Sequence, residues 1–414
     1  MPFLNFIIGN ARWLFGGFLL TLFSAFGQTY FISLSAGEIR SEYDLSNGQF
    51  GVIYMAATLA SALSLTWVGR MVDRFSPSMV TMIIVPLLAA GSVAMALSHH
   101  VVMLVAVIYL LRLFGQGMMT QNAMTATGSW FAANRGRAIS VVALGQNAGE
   151  AVFPFIFVLV AGLIGWRMTW VAGAVLLVVV AMPVIVALYW QERAPKASDP
   201  APKVTAPREW TRGEVLRDPL FWLMLIGIMA PPFIGTTIFF HQVYLVELRG
   251  WSLDLFAASF ALMSAMTIAF ALICGALIDR FSAVRMLPSF LLPLAGACIV
   301  LALSPAVWAP FVFMGLLGVS YGFSTTLFGA LWPEVYGIRH LGSIRSLIVA
   351  VMVFSTAVGP GLTGTLIDLG VSYPGQIFVM GIYCLAASAV LLIASRKLEA
   401  RNADMVAAAA RSLQ

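Results

Sequence analysis

Twelve apolar runs, separated by charged residues or by clusters of Gly, Pro and Asn, organise this chain. Each run is about 20 residues long, which matches the hydrocarbon thickness that a membrane-spanning α-helix must cross. Numbered one to twelve in chain order, the predicted spans are residues 13–35, 48–68, 79–98, 101–123, 138–161, 168–190, 219–241, 254–276, 286–304, 308–332, 346–367 and 375–395.

One long polar stretch interrupts this pattern. Residues 191–218 are rich in Pro and in charge, which is typical of a flexible linker. The stretch predicts a first six-helix bundle at 1–190, a linker at 191–218, a second bundle at 219–396 and a tail at 397–414. The predicted fold class is an all-α membrane protein with two pseudo-symmetric six-helix bundles.

Composition supports a membrane protein. The chain has 414 residues, of which 61% are hydrophobic and 10% are charged, and no soluble fold could cover that much apolar surface. The net charge of +6 would suggest nucleic acid as a partner of a soluble protein. Here the basic residues lie in short loops between spans, so we expect lipid and not nucleic acid around the chain.

The basic residues also predict the orientation. If both termini and the linker are cytoplasmic, all but four of the 23 Lys and Arg residues lie on that side. Arg40, Arg167 and Arg249 lie opposite, and Arg112 falls inside a span. The positive-inside rule therefore predicts a protein of the cytoplasmic (inner) membrane with both termini in the cytoplasm.

Two sequence patterns recur at one offset. The pattern G-x-x-x-D-R-F-S begins at Gly69 and again at Gly275, which is 206 residues later. Runs that end at Pro154 and Pro360 repeat at the same offset. The repeats fall at equivalent spans and on the same predicted side, which indicates two homologous halves related by an axis along the membrane normal.

These residues carry a family resemblance. Gly69, Asp73 and Arg74, with their copies Gly275, Asp279 and Arg280, resemble the cytoplasmic loop signature of the major facilitator superfamily. RLFGQG around Arg112 resembles the fourth-helix signature of many proton-coupled members. The resemblance covers the whole chain and implies the fold of that superfamily, transport by alternating access and a monomer.

Two further runs resemble a subset of that superfamily. WFAANRGRA from Trp130 and GPGLTGTLID from Gly359 resemble monocarboxylate and oxalate/formate carriers. The resemblance implies a basic residue in the eighth helix that holds a carboxylate. The eighth predicted span, residues 254–276, contains no Lys or Arg.

The loop signature also has a direct physical interpretation as a gate. A glycine lets helices from opposite halves approach closely, and an acid favours the positive end of a helix in the other half. Alternatively, these are ordinary charged turns. The predicted gating residues are Gly69, Asp73, Arg74, Gly275, Asp279 and Arg280.

Two charged residues lie inside predicted spans and away from their ends, Arg112 and Glu150. A charge at mid-membrane costs about 2.5–3.5 kcal/mol on insertion scales, so such residues normally face a cavity or each other. Their helices are consecutive and antiparallel, which allows either an ion pair that locks the helices or a site for substrate and proton. We expect Glu150 to be the proton-coupling group.

Polar and aromatic residues at helical spacing extend this candidate site, although packing between helices would explain each of them singly. His241 follows a proline-broken stretch of the seventh span and titrates near neutrality when unperturbed. The predicted substrate-binding residues are Arg112, Gln116, Gln28, Gln146, Asn147, Tyr321, Thr325, Phe328 and His241.

Three function classes are open to a membrane protein of this kind: a secondary transporter, a membrane enzyme, and a channel or receptor. The sequence has no nucleotide-binding loop, zinc motif or paired carboxylates within spans, so we predict no enzyme activity, cofactor or metal. The favoured function is transport of a small organic anion such as a carboxylate, coupled to protons or a counter-solute. Proton-driven efflux of drug-like amphipathic compounds is the alternative, and a non-transporting receptor is a remote one.

Overall fold

The computed structural model of the chain describes residues 2–131, 134–193, 208–337 and 339–412. These residues form helices and connecting turns, with no strand among them. Eleven helices are long and apolar enough to cross a membrane, and a bent helix pair near the start raises the number to twelve. The predicted all-α membrane fold is therefore confirmed. Linker residues 194–207 and tail residues 413–414 lie outside the described residues.

Each observed span overlaps its predicted one. The first span consists of Ala11–Gly27 and Thr29–Tyr43. The others are Asn47–Arg74, Pro77–Leu97, Val101–Trp130, Gly136–Ile164, Trp166–Tyr189, Pro219–Phe240, Leu253–Phe281, Ala283–Leu303, Ala309–Tyr336, Leu341–Asp368 and Tyr373–Asn402. Short helices also form at Pro2–Gly9 and Arg212–Arg217.

Several spans run past their predicted ends, and in the fourth and twelfth the polar residues of the added part find partners. The fourth continues to Trp130, and in its added part the Ser129 hydroxyl donates to the Ala126 carbonyl at 2.9 Å. The last helix continues from the twelfth span through Ser412, into the predicted tail. Its Arg401 donates to Asp218 at 2.6 Å. Polarity alone therefore placed these ends too early.

Contacts divide the chain into two units. The first unit comprises residues 1–201, 239–261 and 360–368, and the second comprises 202–238, 262–359 and 369–414. Parts of the seventh, eighth and eleventh spans thus belong with the first half of the sequence. The domain boundaries at the linker remain a prediction from sequence.

Aromatic packing fixes the far half of the first span in the first unit. The Phe31 ring lies 4.8 Å from that of Phe26, 5.0 Å from that of Phe157 and 5.2 Å from that of Trp170. The Trp170 indole also donates to the Ser35 hydroxyl at 3.0 Å. These buried rings hold Thr29–Tyr43 against the fifth and sixth spans, so the bend in the first span has a fixed direction.

The second unit has its own aromatic core. The rings of Trp332 and Tyr336 stack at 6.2 Å, and the Phe221 ring packs against both. The Tyr336 hydroxyl donates to Asp218 at 2.9 Å, so this carboxylate is shared with Arg401. Trp332 therefore belongs to the core that joins the seventh and tenth spans.

Candidate functional site

The first span is broken near its middle, and the break is the centre of the candidate site. The helix Ala11–Phe23 passes into a 3₁₀ turn at Ser24–Gly27, Gln28 is extended with φ −83° and ψ 151°, and the helix resumes at Thr29. The span bends by 46° at this point. Such a break leaves carbonyl groups without helical donors, so other groups must bond them.

The fourth span faces this break with a widened turn. Leu111–Met119 is π-helix, a form that is often found at functional sites. A methyl group on Gly115 would lie 2.6 Å from the Cα of Gly27, and one on Gly27 would overlap the Leu111 carbonyl. Glycine at both positions lets the backbones touch, and this brings Arg112 within reach of the break.

Arg112 is 4% exposed and has only neutral partners. Its Nη1 donates to the Gly27 carbonyl and to the Thr29 hydroxyl, both at 3.3 Å. Its Nε–H is buried and has no hydrogen-bond partner among the described residues. The ion pairs found in the described parts of the chain do not include Arg112. The guanidinium therefore has unused donor capacity.

Tyr54 completes the surroundings of Arg112, and sequence reasoning missed it. It is 0% exposed, its hydroxyl lies 2.6 Å from the Thr29 Oγ1, and the Arg112 guanidinium lies 5.4 Å from its ring centroid. A cation over an aromatic face is stabilised electrostatically. The second span offered no signal for this role beyond a hydroxyl-bearing ring in an apolar run.

The two glutamines nearest Arg112 occupy different positions. Gln28 is the extended residue of the break and is 7% exposed. Gln116 lies in the π-helical segment and is partly exposed, with its backbone beside Gly27. The break thus brings the backbones of Gln28 and Gln116 close to Arg112, and the sequence predicts all three as substrate-binding residues.

Glu150 has a partner other than Arg112. Its Oε1 accepts from the Gln146 Nε2 at 3.3 Å, and both residues, with Asn147, are partly exposed on the fifth span. No ion pair between Glu150 and Arg112 occurs in the described part of the chain, because Arg112 is turned to the break of the first span. The two charges are therefore separate features.

A pair of small residues positions the fifth span. A methyl group on Gly149 would lie 2.7 Å from the Leu22 carbonyl, and one on Gly145 would overlap the Phe18 carbonyl. The Thr21 hydroxyl donates to the Val142 carbonyl at 2.6 Å. Glycines four residues apart let helices pack closely in a membrane, and here they hold the Glu150 helix against the first span.

His241 lies in the first unit and is 3% exposed. Its Nε2 is 3.1 Å from the Pro360 carbonyl, and its ring packs against that of Phe240 at 5.0 Å. Its predicted contact with substrate stays a prediction. The structure places it beside the end of the eleventh span.

Three predicted substrate-binding residues, Tyr321, Thr325 and Phe328, lie on the tenth span in the second unit. They differ in whether their side chains pack against neighbours or are exposed. The Tyr321 hydroxyl donates to the Pro231 carbonyl at 3.5 Å, across from Gly235, whose missing side chain makes room for it. The Phe328 ring packs on Phe290 at 5.3 Å. Thr325 is exposed. Of the three residues, Thr325 and Tyr321 carry a hydroxyl group.

The two copies of the loop signature differ in what surrounds their glycines. At Gly69 the space of a side chain is filled by Gln121 of the same half, whose amide donates to the Gly69 carbonyl at 3.3 Å. At Gly275 the nearest atom to a methyl group would be a Thr326 carbon, 3.9 Å away. The close approach observed at Gly69 is therefore to the fourth span of its own half, and the expected approach between halves stays a prediction.

The charged members of both signatures are exposed: Asp73, Arg74, Asp279 and Arg280. Arg280 lies over the Phe281 ring at 5.1 Å. The gating role of these four side chains remains a prediction.

Segments from both halves of the sequence meet in the first unit, which sequence reasoning did not foresee. The Ser33 hydroxyl donates to the Phe239 carbonyl at 2.6 Å, and the Gln242 amide donates to the Tyr30 carbonyl at 2.8 Å and to the Ser33 Oγ at 2.9 Å. These four residues are called the Gln242 contact below. All are buried.

A second junction of this kind lies at Asp368. Its Oδ2 accepts from the Ser46 hydroxyl at 2.5 Å and from the Gly48 backbone N–H at 2.8 Å. The carboxylate thus caps the N-terminus of the second span, where an acid is favoured by the helix dipole. In the described residues, no group of three or more His, Cys, Asp or Glu is placed to hold a metal ion.

Comparison with known proteins agrees with this architecture. Residues 17–360 match the family model of the Major Facilitator Superfamily. Over 82% of its length the chain is 23% identical to the uncharacterized MFS-type transporter YhjX of Escherichia coli K12, of which it covers 84%. Over 41% of its length it is 26% identical to the probable sulfoacetate transporter SauU of Cupriavidus necator, of which it covers 39%.

Among solved structures, the chain is similar to a bacterial homolog of the human lysosomal transporter Spinster. The TM-score is 0.69 at 17% identity, over 94% of this chain and 97% of that one. At such low identity the similarity establishes the fold alone.

Proposed function

We propose, from the premise that this chain belongs to the Major Facilitator Superfamily, that it carries a small organic anion such as a carboxylate by alternating access. The family match and the transporter relatives make it a transporter and not an enzyme. The anion assignment rests on one observation: Arg112 is buried at the break of the first span with neutral hydrogen-bond partners.

The physical argument concerns the cost of burying that charge. A guanidinium removed from water loses hydration, and the oxygens of Gly27 and Thr29 recover only part of it. An anionic oxygen that bonds the Nε–H and a terminal nitrogen would form charge-assisted hydrogen bonds, which are about twice as strong as neutral ones. The site would thus bind an anion in preference to a neutral analogue of the same shape.

The described part of the seventh span within the second unit has no charged residue, and the tenth span carries one, Glu334, near its end. Tyr321 and Thr325 stay substrate-binding residues predicted from the sequence. The similarity to a probable sulfoacetate transporter over part of the chain supports an anionic solute.

Glu150 is our candidate for proton coupling. It lies near the centre of the fifth span, is partly exposed and is hydrogen-bonded to one neutral amide, that of Gln146. A carboxyl group in such surroundings can exchange a proton without breaking an ion pair, so solute and proton would use separate groups.

An apolar pocket favours a second candidate function, efflux of drug-like amphipathic compounds. It has a volume of about 310 Å³ in the second unit and lies between the seventh and twelfth spans. Its lining includes Met229, Phe233, Ile234, Val379, Met380 and Tyr383. A hydrophobic solute would bind there without needing Arg112.

The predicted charge bias supports placement in the cytoplasmic membrane with both termini in the cytoplasm. We propose that the protein acts as a monomer, since each described unit has its own buried core.

Ligand binding by the purified protein tests the proposal. Acetate, lactate, oxalate and sulfoacetate would each be compared with acetamide, a neutral analogue, by the shift in melting temperature. An anion at 100 times its Kd should stabilise the protein by about 2.7 kcal/mol, because it binds the folded state alone. Acetamide should produce no shift.

The bound anion should then be transported. Proteoliposomes should show saturable counterflow of the labelled anion, and Arg112→Ala should abolish it. Stabilisation by amphipathic cations, with no response to any anion, would contradict the anion assignment and favour efflux.

A further inference from the structure

Tyr54 lies between the surroundings of Arg112 and Phe240, the neighbour of the Gln242 contact, in the first unit. Its hydroxyl lies 2.6 Å from Thr29 Oγ1, and its ring faces the Arg112 guanidinium. On another side the same ring lies 4.7 Å from that of Phe240. Phe240 in turn stacks on Phe50 at 4.9 Å.

The residue Phe240 is part of the stretch that forms the Gln242 contact. Its neighbour Phe239 accepts from Ser33, and Gln242 donates to Tyr30 and Ser33. Ser33 lies one helical turn after Thr29. Two routes therefore lead from the Arg112 site to the Gln242 contact: the short helix Thr29–Ile32, and the Tyr54 ring.

The route through the short helix begins at hydrogen bonds from Arg112 that an anion would replace, and the route through the Tyr54 ring begins at the guanidinium itself. Arg112 now donates to Gly27 and Thr29 through one nitrogen. An anion on the guanidinium would compete for those donors, since ionic acceptors form the stronger bonds. The Thr29 hydroxyl would then be held by Tyr54 alone, and the short helix would lose its tie to the fourth span.

We propose that Tyr54 is a positioning residue that couples anion occupancy at Arg112 to the Gln242 contact, so that a bound anion loosens this contact. The inference rests on the proposed function, because it requires an anion at Arg112. The ring and the hydroxyl of Tyr54 have separate tasks: the ring packs between Arg112 and Phe240, and the hydroxyl holds Thr29.

A cysteine reporter at the Gln242 contact makes the coupling measurable. Val243 is 8% exposed and packs where a side chain on Gly37 would approach within 3.0 Å, so it becomes reactive only when the contact opens. The native cysteines, Cys274, Cys298 and Cys384, are buried and would be replaced by Ala. The measured quantity is the rate of maleimide labelling of Val243→Cys in detergent, with and without sulfoacetate or lactate.

In the reporter protein, an anion should raise the labelling rate by about fivefold or more, within the usual range of coupling between sites. For Tyr54→Phe, in which the ring still faces Arg112, the anion Kd would be measured first and labelling would be compared at saturating anion. The same variant should lose the labelling response. Tyr109→Phe removes an equivalent hydroxyl, one bonded to Ser64 at 2.9 Å, and should leave the response unchanged.

Thr29→Val removes the other partner of the Tyr54 bond and keeps the shape of the side chain. It should also lose the response, and the double variant should do no worse than Thr29→Val alone, because Thr29→Val already removes the Tyr54 bond together with the bond from Arg112. Normal anion binding with an undiminished response in both Tyr54→Phe and Thr29→Val would overturn the inference alone. Failure of every anion to bind the reporter protein would overturn the proposed function and this inference with it.

Discussion

The first and seventh spans are both interrupted, but for different physical reasons. The first span breaks without a proline, where Gly27 touches Gly115 and Arg112 bonds the freed carbonyl. The seventh span breaks at Met229, ahead of two prolines, and the Pro231 carbonyl is bonded by the Tyr321 hydroxyl. One break is thus held by a cation and the other by a neutral phenol.

The 206-residue repeat identifies which residues of the two halves correspond at these breaks. At that offset Gly115 corresponds to Tyr321, and Arg112 corresponds to Gly318. Where the first half has a small residue and a nearby charge, the second has a bulky ring and no charge. The two halves share a plan, yet among the described residues the buried arginine at this place occurs in the first half, and glycine takes its position in the second.

The largest expected effect separates the two breaks directly. Arg112→Ala should weaken anion binding by about 10- to 150-fold, because hydrogen bonds to a charged group contribute about 1.5–3 kcal/mol. Tyr321→Phe, at the other break, should change it by at most about tenfold, because one neutral hydrogen bond contributes about 0.5–1.5 kcal/mol. Isothermal titration with the anion identified by thermal shift would measure both.

Arg112→Lys should bind the anion with an affinity between those of the wild type and Arg112→Ala. A single ammonium cannot reproduce a bidentate contact, so binding should recover only in part. Equal losses in Arg112→Ala and Tyr321→Phe would contradict the asymmetry between the halves.

The second prediction concerns the fifth and eleventh spans, where Glu150 corresponds to Thr356. Glu150→Gln should abolish accumulation driven by a pH gradient and leave downhill exchange, because an amide imitates the protonated acid and cannot release a proton. Thr356 donates to the Val353 carbonyl at 2.7 Å, and Thr356→Val should keep accumulation intact. Uptake into proteoliposomes with and without a pH gradient distinguishes these outcomes.

Stability provides a separate check on Glu150. It pairs with the Gln146 amide and not with Arg112, so Glu150→Gln should cost at most about 1 kcal/mol, as for one neutral hydrogen bond. A loss of several kcal/mol, relieved by a second substitution at Arg112, would indicate a buried ion pair instead.

The third prediction compares the glycines at the two breaks. Gly27→Ala places a methyl group on the Leu111 carbonyl, and overpacking of this kind costs about 1–3 kcal/mol. Gly235→Ala instead meets the Tyr321 hydroxyl, which is the end of a side chain. The loss in melting temperature for Gly235→Ala should therefore be relieved by Tyr321→Phe, whereas no truncation of a neighbouring side chain should rescue Gly27→Ala.

The smallest expected effect lies in the repeated loops. Asp73→Asn and Asp279→Asn should slow turnover by about two- to fivefold, since a charge near a helix end contributes about 0.3–1 kcal/mol. Anion affinity should stay the same, because both residues are exposed and distant in sequence from Arg112. Rates of counterflow at saturating anion measure this, and wild-type rates in both variants would remove the gating role.

The sequence by itself determined the class of fold and the two most unusual charges. Runs of apolar residues can satisfy their backbone in lipid only as helices, so twelve spans followed from length and composition. Arg112 and Glu150 were identifiable because placing a charge inside such a run costs free energy, so charged residues there are normally functional. Gln28 and Gln116 were found by helical spacing, and the structure places both beside the break.

Only the tertiary structure decided how these residues are connected. The break at Ser24–Gln28 contains no proline that would mark it in the sequence. It lies where Gly27 contacts Gly115, a residue far away in the chain. Nothing in the sequence distinguishes Tyr54 from the other residues of its span. The fold places Thr29, Arg112 and Phe240 around it. Hydrogen bonds and ring contacts between residues far apart in the chain leave no periodic trace in it, so the partner of each charge could be read only from the folded protein.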